Sequence, residues 1–197
     1  VSGETVELAI TVAANTTVSI GAYNDVTFNN ITDQAVDIYS ADAVTATLKD
    51  ASGTEDVINI NLKTLDADKG FDHTIGTVTA NNIETINLSA TGMTDGKIKT
   101  VTSLAANAAK VLNISGDSDL TIAGFGTQIE SIDGSTATGD LNLTVSTKDH
   151  SIKTGVGNDT IVMAATLTAE DTIDGGANSV LADGSETGKD KLTASGS

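Results

Sequence analysis

Apolar and polar residues alternate in short bursts along most of the chain. Clear examples are residues 6–12, 44–48, 58–62 and 141–145, in which every second residue is apolar. Alternation with a period of two is typical of strands that bury one face. The sequence therefore predicts an all-β fold built from many short strands.

The bursts recur at a nearly constant spacing. In the middle of the chain their apolar anchors are separated by 8, 10, 11, 9 and 9 residues: Ile114, Ile122, Ile132, Leu143, Ile152 and Ile161. Asn, Asp, Gly, Ser and Thr fill the intervals and supply tight turns. This rhythm favours a right-handed parallel β-solenoid with Gly/Asp turns, and a β-sandwich followed by a calcium-binding β-roll is the alternative.

The pattern also suggests internal divisions. Residues 1–147 are predicted to form a β-rich solenoid or lattice-forming region, and residues 148–197 to form metal-binding coils. Residues 104–112 are rich in alanine and are expected to form one or two helical turns. Because the chain begins with Val1, we expect it to be a piece of a longer protein.

Composition narrows the possible partners. The chain has 27 acidic and ten basic residues and a net charge of −17, and all the basic residues are lysine. Nucleic acid and anionic membranes are therefore poor partners, whereas cations would relieve the self-repulsion, and calcium is the obvious extracellular candidate. Since no apolar stretch approaches about 18 residues, no membrane insertion is expected.

The most informative segment is residues 154–162, Thr-Gly-Val-Gly-Asn-Asp-Thr-Ile-Val. It fits the calcium-coil repeat G-G-x-G-x-D-x-U-x, in which U is a large apolar residue, with Thr154 replacing the first glycine. The glycines let the backbone turn tightly and direct carbonyl oxygens to one point, and Asp159 adds carboxylate oxygen. Because calcium needs about six to eight oxygens, a second coil must contribute.

That second coil is interrupted. Gly175-Gly176-Ala177 begins the repeat, and residues 188–193 complete it if residues 178–187 are an insertion. Asp171-Thr-Ile-Asp174 copies the tail of the first coil, so both aspartates are further candidates. The predicted calcium-site residues are Gly155, Gly157, Asn158, Asp159, Asp171, Asp174, Gly175, Gly176, Gly188 and Asp190.

These coils resemble those of repeats-in-toxin proteins, and more closely the variants in bacterial surface-layer (S-layer) proteins of the Caulobacter and Campylobacter type. Residues 82–88 and 128–133 resemble strand phrases of the same proteins. The resemblance implies type I secretion, folding on external calcium, and self-assembly into a lattice that attaches to lipopolysaccharide through parts outside this chain.

Two other functions stay open: an adhesin or carbohydrate-binding module of a type I secreted protein, and an accessory module of a secreted polysaccharide lyase or epimerase. Enzymatic activity is not expected in the chain itself. His73 and His150 are the only histidines, and neither sits beside a Cys or Ser nucleophile or paired carboxylates in an arrangement that suggests catalysis.

Overall fold

The computed structural model of the protein describes residues 18–21, 25–32, 35–94, 96–163, 167–180, 186–187 and 189–194. The burst predicted at residues 6–12 lies outside this part of the chain. The described strands are β1 (Val18–Gly21), β2 (Val26–Ile31), β3 (Ala35–Ser40), β4 (Ala43–Leu48), β5 (Val57–Leu62), β6 (His73–Thr79), β7 (Thr85–Ala90), β8 (Ile98–Ala105), β9 (Val111–Gly116), β10 (Asp119–Ile122), β11 (Ser131–Ala137), β12 (Leu141–Val145), β13 (Ser151–Lys153), β14 (Thr160–Met163), β15 (Thr172–Asp174), β16 (Ser179–Val180), β17 (Glu186–Thr187) and β18 (Lys191–Ala194); a 3-10 helix spans Asp66–Asp68.

The strands stack into two parallel sheets. In the described residues, one eight-stranded sheet consists of the odd-numbered strands from β1 to β15. The other consists of the even-numbered strands from β2 to β14, followed by β18. Each coil of the chain therefore adds one strand to each sheet. This arrangement confirms the predicted parallel β-solenoid. The alternative of an N-terminal sandwich is wrong, because β1 to β12 already pair in parallel with their neighbours.

The core lies between the two sheets and consists of columns of aliphatic side chains. In the odd-numbered sheet the column runs through register partners from successive coils: Ile58, Ile86, Leu112, Ile132, Ile152 and Ile173. The first five are at most 2% exposed. Full burial of each such side chain contributes about 1.5 to 3 kcal/mol, so stacking of identical positions is the main source of stability.

The outer surface of the odd-numbered sheet carries a ladder of asparagines. The Asn87 side chain donates to Asn59 Oδ1 at 2.9 Å and accepts from Asn113 Nδ2 at 2.8 Å. Beside this ladder, Asp37 accepts from Asn61 Nδ2 and pairs with Lys63, both at 2.7 Å. Side-chain bonds between successive coils thus supplement the backbone ladder on this face.

Both sheets continue across residue 147, since β11 pairs with β13 and β12 with β14. Further on, Ala177 forms a parallel bridge with Val156, after which β16 and β17 form an antiparallel pair outside the two large sheets. The chain then rejoins the even-numbered sheet, where β18 pairs with β14. The two-stranded excursion falls within the segment that the sequence marks as an insertion.

The helical turns expected at residues 104–112 are not formed. Leu104 lies within β8, and the backbone N–H groups of Lys110 and Val111 donate to Glu84 O of the preceding coil instead of to a helix. Ala106 and Ala109 are buried at the corner between the sheets. Alanine is used here for its small size, since a larger side chain would not fit in the corner. Within the described part of the chain, no helix could span a membrane.

Candidate metal centre

The predicted glycine turn packs between two neighbouring coils. The Thr154 amide donates to Asp174 O at 2.9 Å, and its hydroxyl donates to Gly175 O at 2.7 Å. A Cβ on Gly155 would lie 2.1 Å from Ala137 O of the preceding coil. Thr154 thus replaces the first glycine of the repeat by bonding to the next coil, while Gly155 permits the close approach of the previous one.

Gly176 makes the equivalent contact one coil later. Its φ is +74°, and a Cβ there would lie 2.2 Å from Gly155 O. The neighbouring amides complete a ladder in which Ala177 N donates to Gly155 O at 2.9 Å and Gly157 N donates to Ala177 O at 3.1 Å. These carbonyl oxygens therefore already accept hydrogen bonds between coils.

Asp159 is the central carboxylate of the predicted site. It is 1% exposed, and its Oδ1 accepts from Leu141 N at 2.8 Å, while its Oδ2 is buried with no hydrogen-bond partner among the described residues. Burial raises the pKa of Asp159 above its ordinary value, contacts with Leu141 N and the Thr154 side chain oppose this in part, and the negative charges of Asp190 and Asp140 add to the increase. A buried carboxylate with a free oxygen is costly unless a proton or a cation joins it.

Asp190 occupies the position equivalent to Asp159 in the next coil, because Thr160 pairs with Lys191. Asp190 Oδ1 accepts from Asp159 N at 3.0 Å. The Asn178 side chain lies 3.2 Å from both oxygens of Asp190 and can donate to them through its amide nitrogen. A Cβ on Gly175 would lie 2.6 Å from Asp190 Oδ2, so this glycine makes room for the carboxylate.

Asp140 belongs to the same corner, although the sequence did not identify it as a ligand. Its Oδ1 accepts from Asn158 N at 2.7 Å, and its Oδ2 lies 3.5 Å from Asn158 Nδ2. Asn158 Oδ1 is buried and, like Asp159 Oδ2, has no partner in the described part of the chain. A local signal existed, since Gly139-Asp140-Leu141 resembles the Gly-Asn-Asp turn one coil later but is one residue shorter.

The carboxylates of Asp171 and Asp174 form other hydrogen bonds and do not join this corner. Both oxygens of Asp171 accept backbone hydrogen bonds, from His150 N at 2.6 Å and from Thr168 N at 2.8 Å. Burial raises the pKa of the Asp171 carboxyl, but these hydrogen bonds lower it by more, so the pKa lies below its usual value. Asp174 Oδ1 closes a local turn by accepting from Gly176 N at 3.0 Å. Gly188 lies outside the described residues.

The remaining donors fit calcium in kind. Asn158 Oδ1, Asp159 Oδ2 and the carboxylates of Asp140 and Asp190 are all oxygen donors, which calcium prefers, and three of the four side chains carry negative charge. No three His, Cys, Asp or Glu side chains among the described residues are close enough to hold a metal ion by themselves. An ion bound here would therefore need the Asn158 amide and backbone oxygens as well as carboxylates.

Fold and corner together define the chain as a parallel β-solenoid with a stack of acidic turns along one edge. Comparison with protein-family models, curated proteins and solved structures gave no match to this chain.

Proposed function

We propose that the chain is a structural module of a secreted S-layer protein, which folds on the cell surface with calcium and assembles with copies of itself. The observation that carries the proposal is the acidic corner, where Asn158 Oδ1 and Asp159 Oδ2 are buried without partners beside Asp140 and Asp190. A net charge of −17 supports it, because such a chain gains from bound cations. Attachment to lipopolysaccharide would fall to parts outside this chain.

Calcium would act by offsetting the free-energy cost of burying the charged Asp159 carboxylate. In the low calcium of the cytoplasm, repulsion between Asp140, Asp159 and Asp190 disfavours the folded coil, which keeps the chain suited to export. Outside the cell, an ion that binds only the folded state stabilises it by mass action. The residues of this corner hold the ion, and the ion contributes charge neutralisation.

Calcium should therefore stabilise the wild type and not the Asp159→Asn variant. Extracellular modules bind calcium with Kd values of about 10⁻⁴ to 10⁻³ M, so about 10 mM calcium should add about 1.4 to 2.7 kcal/mol. For a domain of this size that corresponds to a Tm increase of roughly 3 to 10 °C. The measurement is thermal unfolding by far-UV circular dichroism, with particle size followed in parallel.

The Asp159→Asn variant should affect stability differently when a chelator removes calcium. Because the folded-state pKa of Asp159 is raised, its contribution to stability is present at pH below 3.8 and is lost as pH rises through the folded pKa. Without calcium at neutral pH, Asp159→Asn should be at least as stable as the wild type. Asp133→Asn is the matched control, since Asp133 is exposed on the other sheet and its hydrogen bonds are local, from the side chain of Ser135 and from Ser135 N at 3.0 Å.

Two results would contradict the proposal. If calcium did not change the unfolding of the wild type, the glycine turns would serve only to pack neighbouring coils and would not bind the ion. A chain that stays monomeric with calcium and binds a glycan would favour the adhesin or carbohydrate-binding function.

A further inference from the structure

The outward face of the even-numbered sheet carries almost no charge. Apart from Asp119 at the start of β10, the outward side chains of β2 to β14 in this sheet are uncharged, and Lys191 of β18, the register partner of Thr160, adds a charge at the end of the sheet. One column of register partners along it reads Thr74, Thr100, Thr121, Asn142 and Thr160. We call the outward side of β2 to β14 in this sheet the threonine face.

The other sheet carries more outward charge, although its asparagine ladder is uncharged. Its outward positions include Asp37, and also Asp133, Lys153 and Asp174, which are register partners in successive coils. In a chain with 27 acidic residues, a face with one charged side chain in seven strands is a surface of low charge. Like charges placed opposite each other in a contact cost several kcal/mol, and the threonine face avoids this cost.

Apolar side chains lie on the face and at its rim. Ile98, the first residue of β8, is 40% exposed, and Phe71, two residues before β6, is 67% exposed. The two segments are in contact, since Ile98 N donates to Asp72 Oδ1 at 3.0 Å. Val162, the register partner of Thr144, adds an aliphatic side chain on the face itself. Threonine contributes methyl groups and loses little rotamer freedom on contact, because its χ1 is already restricted.

We propose that the threonine face is a contact surface between two copies of this chain. This inference rests on the proposed function and assigns a surface to its self-assembly. Seven strands about 4.8 Å apart and about five residues long give a face of roughly 30 by 17 Å, or about 500 Å² per copy. A contact burying about 1,000 Å² in total is at the low end for a specific interface, which suits a weak, reversible pairing of two copies within a larger assembly.

The test uses Thr121→Glu, which places a charge near the middle of the face. With calcium present, sedimentation over a concentration series should show self-association of the wild type weakened at least tenfold in this variant. Ser151→Glu is the matched control, since Ser151 is exposed on the outward side of the other sheet and should associate like the wild type. Both variants should keep the wild-type circular dichroism spectrum.

Cysteine cross-linking provides a second measurement, because the chain contains no cysteine. Thr121→Cys should form a disulfide-linked dimer under mild oxidation, and Ser151→Cys should not. Assembly that Thr121→Glu leaves unchanged, or cross-linking through Ser151→Cys instead, would overturn this inference while leaving self-assembly intact. A wild type that stays monomeric with calcium would overturn the proposed function as well. If that monomer bound a glycan and Thr121→Glu abolished the binding, the threonine face would be a glycan-binding surface instead.

Discussion

Lys99→Met should raise the free energy of unfolding at pH 7 by roughly 2 to 3 kcal/mol. Lys99 occupies an inward position of β8, opposite Leu120 of the next coil, and is 1% exposed. Its ammonium group donates to Thr64 Oγ1. No ion pair between Lys99 and a described carboxylate is formed. Burial lowers its pKa from 10.5 to about 8, and the charge of Asp117 opposes this only in part.

The pH dependence identifies the cause. Because the folded-state pKa of Lys99 is about 8 and the unfolded value is 10.5, the unfolded chain binds more protons between these pH values. Stability should therefore rise with pH from about 8 to 10.5 in the wild type, by roughly 3 kcal/mol, and this rise should disappear in Lys99→Met. Urea unfolding at pH 7, 9 and 10 measures both effects.

Lys110→Met is the control, since Lys110 is exposed and its replacement should leave both the stability and its pH dependence nearly unchanged. If Lys99→Met were less stable than the wild type at pH 7, the hydrogen bond to Thr64 and the other contacts of Lys99 would outweigh the free-energy cost of burying its charge. This strand also shows where pattern analysis has a limit, because the apolar pattern favours Ile98 as the buried residue, whereas Ile98 is 40% exposed and Lys99 is 1% exposed.

Alternation predicted most of the strands, because each burst places aliphatic residues on one side and small polar residues on the other. It failed at β6, where Ile75 and Val78 are both buried but are three residues apart. Gly76 and Thr77 both face away from the core at this point, so a strict period of two is interrupted. Val101 and Leu104 of β8, the register partners of Ile75 and Val78, have the same spacing, so the two strands share the interruption and keep their register.

The sequence predicted the site only where the spacing between residues reflects the register of neighbouring strands. Asp159 and Asp190 share the same offset from Ile161 and Leu192, which are register partners in the sheet. Asp171 has that offset from Ile173 as well, but β15 belongs to the other sheet and Asp171 therefore lies at a different corner. Sequence spacing sets the position within a coil and does not reveal which of the two sheets a burst joins.

Gly76→Ala and Gly116→Ala should be the most destabilising single substitutions considered for this chain. A Cβ on Gly76 would lie 1.6 Å from Asp42 O, and one on Gly116 would lie 1.9 Å from Ala90 O, both backbone atoms of the preceding coil. Gly116 also has a φ of +114°, which alanine rarely adopts. Overpacking against backbone should cost about 3 kcal/mol at Gly76, and the added strain should bring Gly116→Ala to roughly 4 kcal/mol or more.

Gly96→Ala separates the two causes. Gly96 has a φ of +73°, but no atom lies within 4 Å of the position that a methyl group would occupy, so alanine there should cost only about 1 to 2 kcal/mol of backbone strain. Urea unfolding of the three variants measures the series. If Gly76→Ala lost no more stability than Gly96→Ala, the coils could move apart to admit a methyl group. The close approach of Gly76 to the Asp42 carbonyl would then not be what fixes the spacing between these coils.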